Sequence, residues 1–181
     1  MMSRDRFRGA VAAASANYLE VATWDEVFAH LAGGGDRLAL APSLACDDPA
    51  LIGRAAAAGF EVVIPDGDDP AAQVADVPIG VVRGELAVVE TGSVLVAEHA
   101  LGDRVVTMLC RRLVQVVAAE RVVDRLDDVA IWLAERGGQP GFASLMTGPS
   151  RTADIERSLT IGVQGPDEVD VIVLTGEQET P

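Results

Sequence analysis

Apolar residues along this chain fall into short, valine-rich runs separated by stretches with a longer period. Arg37 to Ala41, Phe60 to Ile64, Ile79 to Val82, Glu85 to Val89, Val94 to Ala97, Leu113 to Ala118 and Val169 to Leu174 read as strands. Asp25 through Leu31 reads as a short helix ending at Gly33-Gly34-Gly35. Asp47 and Asp48 are placed to cap another helix, with Pro49 in its first turn and Gly59 closing it. Leu126 to Arg136 is amphipathic, with Val129, Ile131, Trp132 and Leu133 apolar.

The strand–helix–strand order from Arg37 to Ile64 predicts a right-handed parallel crossover. Between Ile79 and Ala97 the turns are too short for helices, so those strands are directly connected. Asp66 to Asp76 reads as an exposed acidic loop with at most a helical turn. The pattern predicts one α/β domain whose mixed, mostly parallel sheet is flanked by helices. Residues 1–35 form an N-terminal helical segment in this reading, and residues 36–181 form the α/β domain.

Length and composition narrow the picture. The 181 residues have room for one such core and hardly for two. Hydrophobic residues make up 49% and aromatics only 4%, so the core is built from Val, Leu, Ile and Ala. Fourteen basic against 28 acidic residues give a net charge of −14, which repels nucleic acid and anionic membranes. Arg4, Arg6 and Arg8 ahead of Ala10 to Ala16 superficially fit a signal peptide, but the alanine run is weakly apolar and Asp5 interrupts the basic stretch. A helix is the better reading. With no run apolar enough for insertion, the expected location is the cytoplasm.

Cys46 and Cys110 are far apart, and His30 and His99 complete a thin ligand inventory. Iron–sulfur clusters and structural zinc need several such ligands, so neither metal nor cofactor is expected in this chain. Cys110 reads as a small hydrophobe and Cys46 as a neighbour of a helix cap.

The densest chemistry lies near the end, in Gly148-Pro149-Ser150-Arg151-Thr152-Ala153-Asp154-Ile155-Glu156, followed by Gly162-Val163-Gln164-Gly165-Pro166. Ala143 to Met146 reads as the end of a buried strand, and Ile155 and Leu159 stand four apart, a helical spacing. Ser150 would then cap the new helix, with Arg151 and Thr152 at its mouth. Free amides, the helix dipole and a guanidinium would suit a carboxylate or phosphate.

This run, with Glu90-Thr91-Gly92-Ser93 as a second matching segment, resembles the LUD domain of the lactate-utilization protein C family. Two positions depart from that family's pattern: Gln164 stands where it usually has His, and Cys110 where it usually has Pro. The resemblance implies a fold similar to that of ribose-5-phosphate isomerase, glucosamine-6-phosphate deaminase and CoA transferases. It also implies an accessory role in oxidising lactate to pyruvate beside iron–sulfur proteins, with homodimerisation left open. The expected ligand-binding residues are Thr91, Gly92, Ser93, Gly148, Pro149, Ser150, Arg151, Thr152, Asp154, Gly162 and Gly165.

Glu90 has two readings. It is a nucleophile or proton carrier in a freestanding enzyme of CoA-transferase or sugar-phosphate-isomerase type, or it caps a tight turn. His99 would be a base only if it projects into the same cleft. The two motif segments are expected on one rim of the sheet, because α/β clefts are assembled from loops at strand ends.

Overall fold

The computed structural model describes residues 2–136, 141–153, 159–161 and 165–176. Along the chain these form α1 (Met2–Ala13), β1 (Asn17–Val21), α2 (Trp24–Leu31), β2 (Arg37–Leu40), α3 (Pro42–Asp47), α4 (Ala50–Ala57) and β3 (Glu61–Val63). Next come α5 (Pro70–Val74), β4 (Ile79–Gly84), β5 (Leu86–Val88), β6 (Ser93–Glu98), α6 (Leu101–Leu109) and β7 (Arg112–Ala118). The remainder is β8 (Val122–Val123), α7 (Asp127–Glu135), β9 (Phe142–Met146), β10 (Arg151–Ala153), β11 (Leu159–Ile161) and β12 (Glu168–Leu174).

Six strands make a parallel sheet in the order β1-β12-β7-β4-β2-β3. A second sheet has the order β8-β5-β6-β9, antiparallel except where β5 meets β8. Parallel and antiparallel pairing are thus divided between two sheets, while the α/β class expected from the sequence holds. The apolar runs on β4, β7 and β12 are buried on both faces, which is why they read as continuous valine rather than alternating. The N-terminal 35 residues, expected to be helical, also supply β1, which pairs with β12 at the sheet edge.

Asp170 and Val171 on β12 point to opposite faces. On the Asp170 side lies α2, whose His30 reaches that carboxylate. On the Val171 side, Tyr18 of β1 stands in the same row and meets Phe7 of α1, ring edge to face at 5.9 Å. Thr23 caps α2 by accepting from Glu26 N–H, and Val27, Phe28 and Leu31 bury its inner stripe. The acidic stretch after β3 carries α5, started by Asp69 accepting from Ala72 N–H and by Pro70 in the first turn.

Three local expectations are corrected. β9 is a strand but not a buried one: it is the outer strand of the small sheet, with Phe142 63% and Leu145 41% exposed. The segment after Ser150 opens a hairpin rather than a helix, because Arg151–Ala153 pairs antiparallel with Leu159–Ile161. Thr152, Thr160 and Ile161 are β-branched and suit that ladder, and it overrides the four-residue spacing of Ile155 and Leu159. Finally, α3 and α6 form where no helix was anticipated.

Candidate functional site at the motif junction

The register of β6 against β9 sets Val94 opposite Met146, so the residues just outside the ladder, Ser93 and Thr147, meet. Their hydroxyl oxygens are 2.5 Å apart, and Ser93 donates to Thr91 Oγ1 at 2.7 Å. Ser93 has one proton, and Thr91 receives it, so Thr147 donates to Ser93. Thr91 is half-buried, and among the described residues no acceptor takes its proton.

Both motif glycines press on the end of α1 or the residue that follows it. Gly92 has φ +68°, and a Cβ there would stand 2.6 Å from the Ala10 carbonyl carbon. Gly148 has φ +67°, and a Cβ there would stand 2.0 Å from the Ala14 oxygen. Only glycine permits this left-handed backbone at such an approach. The third segment closes on the second: Ser150 N–H donates to Pro166 O at 3.0 Å, and Gly165 faces the Ser150 side chain. Pro149 is buried beside them. The structure therefore brings together Thr91, Gly92, Ser93, Gly148, Pro149, Ser150 and Gly165 around the C-terminal end of α1, and the two motif segments share one end of the small sheet as expected.

Arg151 and Thr152 follow directly in β10. Asp154, Gly162 and Gln164 lie outside the described residues. No helix N-terminus forms at Ser150, and the helix end that stands here is the C-terminus of α1, whose dipole is negative. What remains for an anion is hydroxyl donors and the charge that Arg151 brings to the motif.

Glu90 is tied elsewhere. Its Oε2 accepts from Leu126 N–H at 3.0 Å, at the start of α7, while its own N–H donates to Asp124 O. It lines a cleft of about 330 Å³ with Arg6, Asp124 and Arg125. The carboxylate thus caps a neighbouring helix rather than its own turn. His99 follows the far end of β6 from Glu90 and does not share that cleft.

Cys110 packs as the small hydrophobe anticipated: it is buried, and burial pushes its thiol up to about 12. Among the described residues no group of three or more His, Cys, Asp or Glu is arranged to hold a metal ion. None of the described helices is long and apolar enough to cross a membrane.

The fold and the junction define a class: an α/β domain whose signature loops meet on its first helix. A DUF162 family protein from Deinococcus radiodurans has the same fold, with a TM-score of 0.65 at 17% identity over 96% of both chains. The chain belongs to the LUD domain family, whose sequence pattern matches residues 66–174. It is similar to lactate utilization protein C of Geobacillus thermodenitrificans, 32% identical over 101 residues. It is also similar to that of Geobacillus sp. strain WCH70, at 29% over 101 residues. Each alignment covers 54% of this chain and 42% of the relative, so the chain matches under half the length of these proteins.

Proposed function

We propose that this chain serves lactate utilization in the cytoplasm by binding a small carboxylate- or phosphate-bearing ligand at the motif junction, alongside iron–sulfur proteins that carry the electrons. The observation that supports this is the convergence of Thr91–Ser93, Gly148–Ser150 and Gly165 in a LUD domain whose curated relatives bear the lactate-utilization name. Among the described residues nothing accepts the Thr91 hydroxyl proton, and Arg151 supplies the only full positive charge in its motif. Oxidising a hydroxy acid to a keto acid releases two electrons and two protons, so a redox acceptor must take the electrons. The sparse cysteines and histidines of this chain are consistent with partners carrying those centres.

Arg151 carries the test. Arg151→Ala should weaken L-lactate, pyruvate or phosphate binding about tenfold to a hundredfold, as loss of a charge-assisted hydrogen bond does. Arg151→Lys should recover little, because an ammonium lacks the planar fork. Calorimetric titration and a thermal midpoint on the same sample decide it: unchanged binding with a lowered midpoint retires the site. Purification from native cells without an attached iron–sulfur protein retires the partner assignment. The cleft beside Glu90, with Arg6 and Arg125 on its wall, supports the freestanding-enzyme alternative. Turnover of a thioester or sugar phosphate by the isolated chain, abolished in Glu90→Gln, would select it.

A further inference from the structure

The two larger sheets end in four outer strands, and their edges are not alike. In the parallel sheet β3 is three residues long and bears Glu61, while β1 carries Glu20, paired with Arg4 and Arg8. In the small sheet β8 has only two residues, followed by Asp124 and Arg125. Short edges and charged side chains are the usual guards against pairing with another chain. The remaining outer strand, β9, has neither. Phe142–Met146 is five residues of Phe, Ala, Ser, Leu and Met, without a charge or a proline. Its outer edge presents a row of backbone N–H and C=O groups with which another strand can pair.

The surface on both faces of β9 is apolar as well. On one face Arg104 of α6 lies over the Phe142 ring at 4.2 Å, and Leu101 and Met108 share the helix face of Arg104. Leu101, Met108 and Phe142 are all exposed. On the other face Leu145 is the register partner of Leu95. Val129 and Trp132 of α7 cover Leu95 but leave Leu145 exposed. These four half-exposed side chains offer roughly 400 Å² of apolar surface per copy, about half of the ~800 Å² per partner of a standard interface. Charge favours the same place, because two copies of a chain with net −14 repel one another. Beside β9 that repulsion is relieved: Glu98 is buried and accepts from Ser144 Oγ at 2.8 Å, and two guanidiniums flank the strand. Arg104 rests on Phe142, and Arg136 Nη2 stands 3.4 Å from His99 Nε2, next to Gly141.

We propose that two copies of this chain dimerise by pairing β9 with β9, antiparallel about a two-fold axis through Ser144, which joins two four-stranded sheets into one. A second copy is the occupant because the edge is uncharged and self-complementary, so an identical strand turned about the axis fits it in full register. The pairing consumes both open edges at once and closes, which a head-to-tail contact would not. All five residues then take partners: Ser144 meets the partner's Ser144, Ala143 the partner's Leu145 and Phe142 the partner's Met146. Met146 precedes Thr147, so each copy brings its Phe142 alongside the other's motif junction. With half the usual apolar area and a short ladder, the dimer is a micromolar one rather than obligate. The inference is independent of whether the junction binds an anion.

Sedimentation of the full chain over a concentration series tests this. The mass should rise from 18.9 kDa to twice that value across the micromolar range. Leu145→Lys alters an exposed site and should leave the thermal midpoint in place. It puts two ammonium groups on residues about 7–8 Å apart diagonally across the axis, and should raise the dissociation constant about tenfold or more. Val62→Lys on β3, an outer strand of the parallel sheet, should leave dimerisation unchanged. In a Cys46→Ser background, Ser144→Cys should form a disulfide between copies in air, because directly opposed strand residues lie about 4.5–5.5 Å apart. Val62→Cys should form none. The proposal is overturned if the parent stays at 18.9 kDa up to millimolar concentration, or if Val62→Lys dissociates the dimer as Leu145→Lys does. A dimer indifferent to Leu145→Lys and without the Ser144→Cys cross-link uses another face and equally overturns it. Should either β9 variant misfold, the other decides.

Discussion

Cys110 shows how tight packing governs a single side chain. It ends α6 against Gly80 of β4, where an added Cβ would stand 2.9 Å from both its Cβ and Sγ. Burial holds the thiol protonated up to about 12, against an ordinary value of 9.0. The unfolded chain releases that proton nearer 9, so ionisation favours unfolding. Stability from this group is complete below pH 9.0 and falls as pH rises toward about 12. Native protein at pH 8 should therefore react with a thiol reagent at exposed Cys46 alone, and denatured protein at both cysteines. Rapid labelling of Cys110 in the native state would contradict this burial. Its character as a small hydrophobe was legible in the sequence, as were Gly92 and Gly148 as turn residues. That both glycines rest on α1 was not, since nothing in a local pattern reveals which distant backbone a turn approaches.

Among the elements, the starts of β12, β7 and β1 meet α2 in a polar cluster around one buried carboxylate. Asp170, 1% exposed, accepts from Arg112 Nε at 3.0 Å and Nη2 at 2.5 Å, and from Asn17 Nδ2 at 2.8 Å. His30 Nε2 lies 3.4 Å from the same carboxylate. Removing one partner strands the other charge, so Arg112→Ala should cost about 3–5 kcal/mol in denaturant unfolding. Replacing both, as in Arg112→Met with Asp170→Leu, should recover much of that loss; a double variant as unstable as the single one would show that the pair does more than neutralise itself. The central strands were readable because burial on both faces demands unbroken Val, Leu and Ile. The edge strand β1 was not, because Asn17, Tyr18 and Glu20 dilute its pattern with groups that are paired only in three dimensions. For α6 the sequence misleads: Val105, Val106 and Thr107 are β-branched, Gly102 disfavours a helix, and tertiary packing overrides both. The hairpin after Ser150 escaped for the converse reason, since a chance helical spacing outweighed three-residue strands too short to read.

In the molecule as a whole, α1 joins what the sequence separates. Phe7, fully buried, anchors it on Tyr18, while Arg4 and Arg8 pair with Glu20 of the same strand. Its other contacts receive Gly92 at Ala10 and Gly148 at Ala14, so parallel sheet, small sheet and motif junction are braced by one helix that precedes them all in the chain. Loosening α1 should therefore loosen both motif loops together. Phe7→Ala should cost about 3–5 kcal/mol, the usual range for emptying a buried aromatic site. Amide exchange should then quicken at 91–93 and 147–150 along with α1 itself, because those segments share its local opening. Phe28→Ala is the matched control: equally buried, but on α2 across the sheet, it should lower global stability by a similar amount without selectively exposing the loops. Hydrogen exchange with fragment resolution separates the outcomes. If the loops stay protected in Phe7→Ala, or quicken equally in Phe28→Ala, the helix is only part of the core and the motif junction holds its shape without it.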